Sequence, residues 1–305
     1  MSVATNRPVR TDTGPPQRAD RPGRRPERRD RISALVNVIS HGCLVVWALL
    51  VTFPLLWMLV TSLKSDQEIF SSPWRPPSTL HFDNFARARA GAEIGQYFLD
   101  TVVVVAGGVT LTLLLSSMAA YALARYPFPG SRIFYYLFIA GMTFPVFLAI
   151  IPLFFIAKNL GLTNSLPGLM LIYAAYSLPF SVFFLTAFFR TLPDSLAEAA
   201  FIDGCGHWGT FFRVMLPLAK PGLISIGIFN VLGQWNQYLL PLVLEDDPKK
   251  YMLAQGLASL AVRQGYKSDW SALFAGLTIS MLPVLVFYVI FQRQIRAGLT
   301  TGALK

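Results

Sequence analysis

Six apolar runs, near residues 35–61, 99–124, 133–156, 166–189, 221–244 and 271–292, dominate this chain. Each is long enough to cross a hydrocarbon layer roughly 30 Å thick, which takes about 20 helical residues. The runs are continuously apolar rather than alternating, and lipid requires every backbone polar group to be bonded internally, so helices are expected and barrel strands are not. The expected fold class is therefore all-α: a polytopic membrane protein with six transmembrane helices. Only 14% of the residues are charged, against about 25% in soluble domains. Pro54, Pro145, Pro152, Pro179 and Pro283 fall inside the runs and predict kinked, cavity-lining helices. The second run gathers Gly107, Gly108, Ser116, Ser117, Ala119 and Ala120, small residues that let helix backbones approach closely.

A formal net charge of +10 invites a nucleic-acid reading, but nine of the 26 Lys and Arg lie between Arg7 and Arg31, ahead of the first run. Residues 1–31 are rich in Arg and Pro and poor in large apolar side chains, so they are expected to form a disordered cytoplasmic tail. Such a tail suits anionic lipid better than nucleic acid. The first apolar run is too long for a signal-peptide core and no small-residue cleavage pattern follows, so it is expected to remain as an anchor. With the tail inside, 17 of the Lys and Arg fall on cytoplasmic segments and nine on outer loops, which puts both termini in the cytoplasm. Cys43 and Cys205 make no disulfide framework. His41, His81 and His207 lack metal-ligand spacing, so no metal is expected.

Between the fourth and fifth runs, residues 190–221 read RTLPDSLAEAAFIDGCGHWGTFFRVMLPLAKP. Ser195 followed by Glu198 predicts a capping box at the start of a short helix, and Gly204 predicts its end. Trp208, Phe211, Phe212 and Val214 then predict a second amphipathic segment over 207–215, ending before Pro217. Glu198, Ala199, Ala200, Asp203 and Gly204, with Leu216 and Pro217 further on, resemble the cytoplasmic signature of permease subunits of bacterial ATP-binding-cassette importers. The resemblance runs from about residue 32 to the end, and it implies a type I importer permease fold over 32–305 in a bacterial plasma membrane. It also implies that 190–220 docks as a coupling helix on a separate ATPase subunit, with Phe211 and Phe212 available to fill a pocket there. Glu198 capping its own helix and Gly204 merely ending it is the competing reading.

The stretches NVLGQWNQYLLPLVL (230–244) and QRQIRAGLTTGALK (292–305) look like the carbohydrate branch of that family, in particular the second permease of maltose-type importers. That resemblance implies a second, homologous permease, two ATP-binding-cassette ATPase subunits and an extracellular sugar-binding protein as partners. ATP and Mg would sit on the ATPase pair, since this chain has no GxxxxGK[ST] loop and is expected to bind no cofactor and catalyse nothing. Of the cytoplasmic C-terminal tail, 293–305, the end from Gly298 to Lys305 would by the same resemblance reach between the ATPase subunits, or simply fray.

For substrate, Asn230, Gln234 and Gln237 stand at i, i+4 and i+7 on the fifth run, one helical face, with Trp235 and Tyr238 beside them. Amides offer donors and acceptors without a charge, which suits sugar hydroxyls; they equally suit hydrogen bonds to a neighbouring helix. The runner-up function is an autonomous ion-coupled carrier, which would want ionisable groups in the spans or paired broken helices. Only Asp100, near an edge, is of that kind, and no broken repeat helices are expected. A membrane-embedded enzyme would want a nucleophile, base or metal ligands converging in the spans, and none stand out.

Overall fold

The computed structural model describes residues 27–90, 93–267 and 269–303. The N-terminal tail expected over 1–31 falls outside these residues up to 26, and from Glu27 the backbone is already helical. Among the described residues there is no strand. The chain runs as α1 (Glu27–Thr61), α2 (Asp66–Ser71), α3 (Asp83–Ala90), α4 (Ile94–Arg125), α5 (Ser131–Thr143), α6 (Val146–Asn159), α7 (Leu166–Phe189) and α8 (Asp194–Ile202). It continues as α9 (His207–Gly209), a π-helical turn (Thr210–Met215), α10 (Leu216–Leu218), α11 (Lys220–Trp235), α12 (Leu239–Leu244), α13 (Leu253–Lys267) and α14 (Trp270–Ala303). Four helices are long and apolar enough to cross a membrane, and two bent helix pairs bring the number to six.

Two of the six expected spans are broken outright rather than merely kinked. The third run is α5 and α6, which meet at 107°. Pro145 is the cause: the residue ahead of a proline is driven out of the helical region, and Phe144 is extended at φ −77°, ψ 121°. The fifth run closes at Trp235 and resumes at Leu239. There the Asn236 side chain donates from Nδ2 to Leu232 O at 2.8 Å, competing with the helix for that carbonyl.

The described residues up to Pro54 and those from Leu55 onward form two units. In the first, every side chain from Val36 to Phe53 is exposed, so this part of α1 is an apolar rod whose backbone bonds are satisfied within itself. The second unit is a bundle built around α4 and α7, which pack along most of their length. Lipid supplies no hydrophobic drive between helices, so close approach and interhelical hydrogen bonds hold such a pair. Gly108 provides the approach: a Cβ there would stand 2.6 Å from Gln234 Oε1 and 3.3 Å from Tyr173 Cβ.

At one end of the bundle Glu245, 1% exposed, accepts the Ser165 N–H at 2.7 Å, at the N-cap of α7. Lys250 Nζ donates to Asn164 O at 2.6 Å. Burial pushes the Glu245 carboxyl up to about 6, against the pull of the Ser165 N–H and of Lys250. An acid that holds its proton more tightly folded than unfolded favours the fold most below its unfolded value, near 4.5. That stability is lost as pH rises through 6, by about 2 kcal/mol. The melting temperature is expected to fall across this window, and Glu245→Gln, which keeps an acceptor for Ser165, is expected to flatten the slope. Equal slopes in the two proteins would refute the assignment.

Candidate functional site

At the opposite end of the bundle α8 begins at Asp194, with Pro193 in the N-cap position and no side-chain cap. The capping box expected from Ser195 and Glu198 does not form, because Pro193 takes the cap and moves Ser195 inside the first turn. Gly204 ends the helix as expected, at φ +83°. Its N–H reaches Phe201 O at 3.1 Å, and the Cys205 N–H reaches Ala200 O at 2.9 Å. These two bonds are the paired closure of a Schellman motif, which needs a left-handed residue at that position.

The helix has two distinct faces. Ala200 is buried, whereas Glu198, Ala199 and Asp203 are exposed, as is Ile202 at 87%. Residues two apart point to opposite sides of a helix, which is why Ala200 faces in while Ile202 and Glu198 face out. The following segment does not stop before Pro217. It passes as α9, the π turn and α10 through Leu216 and Pro217, then bends by 73° into α11. The Leu216 N–H reaches Phe211 O, a wider turn that accommodates the missing proline N–H one residue later.

Phe211 does not face outward as expected. It is buried, with its ring 5.1 Å from that of Tyr121. The exposed apolar edge is made by Phe212, stacked on Trp208 at 6.0 Å, and by Ile202; Trp208 and Ile202 were legible only as an indole in an amphipathic stretch and an apolar residue at a helix end.

Arg125 at the close of α4 ties this elbow to the bundle. Its side chain is 8% exposed and pairs with the Asp194 carboxylate, while Nη2 donates to Phe189 O at 2.9 Å and Leu192 O at 2.5 Å. One guanidinium therefore joins the end of α4, the end of α7 and the start of α8. A second tie runs from Tyr126, whose hydroxyl lies 3.0 Å from His207 Nδ1.

A cavity of about 650 Å³ lies between the α5–α6 break, α7 and α11. Asn230, Gln234 and Gln237 all line it, although the helix that was to align them ends before Gln237. Asn230 Nδ2 donates to Ser181 Oγ at 2.9 Å, and Gln234 Nε2 to Ser177 Oγ at 3.1 Å. Both amides thus bond across helices through their NH2 groups, while Gln234 Oε1 is buried without a partner. The Gln237 amide has no hydrogen bond among the described residues. Trp235 turns away, packing edge-on against Phe98 at 5.6 Å, and Tyr238 is not part of the lining. Among the described residues no group of three His, Cys, Asp or Glu could hold a metal.

A helical bundle with a solute-sized cavity at a broken helix and a structured elbow at one end defines the chain as a membrane permease. Residues 94–301 match the family described as "Binding-protein-dependent transport system inner membrane component", and the chain belongs to that family. It is 50% identical over 267 residues to the diacetylchitobiose uptake system permease protein NgcG of Streptomyces coelicolor, covering 88% of each chain. It is 33% identical over 266 residues to the trehalose transport system permease protein SugB of Mycobacterium tuberculosis, covering 85% of this chain and 97% of that one. A solved structure of a bacterial ABC transporter involved in the import of the acidic polysaccharide alginate superimposes with a TM-score of 0.75 at 24% identity, covering 88% of this chain and 98% of that one. At that identity the likeness speaks for the fold, a type I importer permease.

Proposed function

We propose that this chain forms one half of the membrane pathway of an ATP-driven importer for a neutral mono- or short oligosaccharide. In this reading the 190–220 elbow couples it to a separate ATPase. The cavity carries the substrate class. Its lining holds three amides, two tyrosines, three phenylalanines and no Asp, Glu, Lys or Arg. Amides and hydroxyls match sugar hydroxyls, and rings can rest against apolar sugar faces. The names of the two relatives, which mention diacetylchitobiose and trehalose, support this reading.

On the elbow, Glu198, Ala199, Asp203 and Ile202 present the face that meets the ATPase, with Trp208 and Phe212 as apolar anchors. Ala200, Gly204, Leu216 and Pro217 shape it from behind. The elbow and both termini face the cytoplasm, where the segment from Gly298 to Lys305 approaches the ATPase pair that carries ATP and Mg. A second permease completes the pathway, and an extracellular binding protein delivers the sugar.

The test is ATP-driven uptake into vesicles by the chain copurified with its partner subunits. Gln237→Ala is expected to raise the transport KM about tenfold, the loss of roughly one or two hydrogen bonds, with normal recovery of the complex. Asn230→Ala is expected to lower recovery instead, since it strips Ser181 of its partner. Sugar uptake by the purified chain without an ATPase would overturn the proposal.

A further inference from the structure

A second, smaller pocket opens at the elbow end of the bundle, outside the translocation cavity. It holds about 310 Å³ and is lined by Leu123, Ser131, Arg132, Tyr135, Tyr136 and Arg190. Its wall comes from the first turns of α5, the last turns of α4 and the residue that follows α7. The two arginines stand out by what they lack. Among the described residues neither guanidinium makes a hydrogen bond or an ion pair. Arg190 does have an aromatic partner, its Cζ lying 5.1 Å from the Tyr135 ring centre, within the range of a cation–π contact. At the same end of the bundle, Arg125 by contrast meets a carboxylate and two carbonyls through its terminal nitrogens.

The surroundings state which anion would complete the pocket. The α5 face beside it is apolar and open: Ile133 is 73% exposed, Tyr136 64% and Leu137 65%, and no residue of α5 is buried. Two exposed guanidinium groups without a carboxylate or carbonyl partner among the described residues, at the end of a span and beside an exposed apolar helix, make a headgroup site continuous with a surface for acyl chains. A free phosphate would use only the first of these features.

We infer that this pocket binds the phosphate of an anionic phospholipid, gripped by Arg132 and Arg190, with the Tyr135 and Tyr136 hydroxyls at its rim and the acyl chains along Ile133 and Leu137. The bound lipid would brace Arg190, the root of the elbow, against α5. This inference rests on the membrane location of the chain and not on which sugar it carries.

The experiment is native mass spectrometry of the full-length chain, with its copurifying subunits, released from nanodiscs of equal phosphatidylglycerol and phosphatidylcholine. Wild type is expected to retain phosphatidylglycerol over phosphatidylcholine at least about fivefold. Arg132→Gln with Arg190→Gln is expected to abolish the preference. The pair of lysine substitutions, which keeps the charge but loses the planar fork, is expected to keep part of it and covers the case of a double glutamine variant that does not fold. Arg213→Gln, an exposed arginine of the elbow outside the pocket, is expected to change nothing. An undiminished preference in the double variants, or displacement of the lipid by millimolar inorganic phosphate, would overturn the inference. So would a photocrosslinker at Tyr136 that captures a second permease in place of lipid.

Discussion

Replacing Arg125 by alanine is expected to cut ATP-driven uptake by at least about tenfold while the chain still reaches the membrane in normal amount. The argument is one of leverage. The Arg125 side chain is 8% exposed and holds the Phe189 and Leu192 carbonyls and the Asp194 carboxylate together. Hydrogen bonds to a charged group are worth about 1.5–3 kcal/mol each. The Asp194 pair is discounted, because that carboxylate is 81% exposed and solvent screens it. The two carbonyl bonds alone leave about 3 kcal/mol holding α8 against α4 and α7, and losing it lets the elbow sample other positions. In the proposed coupling, a displacement of the ATPase would then move the elbow without moving the bundle. Arg125→Lys is expected to fall between, since an ammonium keeps the charge but cannot span three acceptors as a planar fork does. The second reading is limited proteolysis of membranes, with cleavage between 190 and 206 rising in the alanine variant. Unchanged uptake with unchanged cleavage would show that Arg125 carries no load.

Arg125 also shows where the sequence is legible and where it is not. The apolar runs placed the spans Val36–Thr61, Ile94–Arg125, Leu166–Phe189 and Trp270–Ile295 closely, because length and hydropathy are one-dimensional properties, though not the polar ends by which α1 and α14 extend beyond them. In the same reading Arg125 counted only as one positive charge beside a span; its partners lie 64 and 67 residues away, and no local pattern announces them. Two identical Ser-x-x-Glu spacings make the same point. Ser65 and Glu68 form a true capping box, whereas Ser195 and Glu198 do not, because the N-cap is Pro193, two residues ahead of the serine. The amide trio was found by assuming an unbroken helix through Gln237. The helix breaks at Asn236, yet the break itself turns Gln237 into the cavity beside Asn230 and Gln234. Phe211 and Phe212 were indistinguishable as adjacent aromatics; only packing against Tyr121 decides that the first is core and the second surface.

On the proposed coupling role of the elbow, Gly204→Pro is expected to abolish uptake with the chain still inserted in the membrane in normal amount. The position is informative because space is not the issue there: a Cβ on residue 204 would meet no atom within 4 Å, and only the backbone, at φ +83°, restricts what can stand there. Proline fixes φ near −65° and has no N–H, so it removes the bond to Phe201 O and cannot close the helix. It also disfavours the helical backbone at Asp203 ahead of it. The expected local cost is about 3 kcal/mol, enough to unravel the end of α8 and swing Asp203 and Ile202 off the exposed face. Asparagine tolerates the left-handed region better than other non-glycine residues, so Gly204→Asn is expected to retain most of the uptake, with Gly204→Ala intermediate at about 1 kcal/mol. That order, Asn above Ala above Pro, follows from backbone geometry at the helix end. If instead all three variants carry sugar as wild type does, the shape of the α8 terminus has no part in coupling, and the exposed face from Glu198 to Asp203 cannot be where the motor pulls.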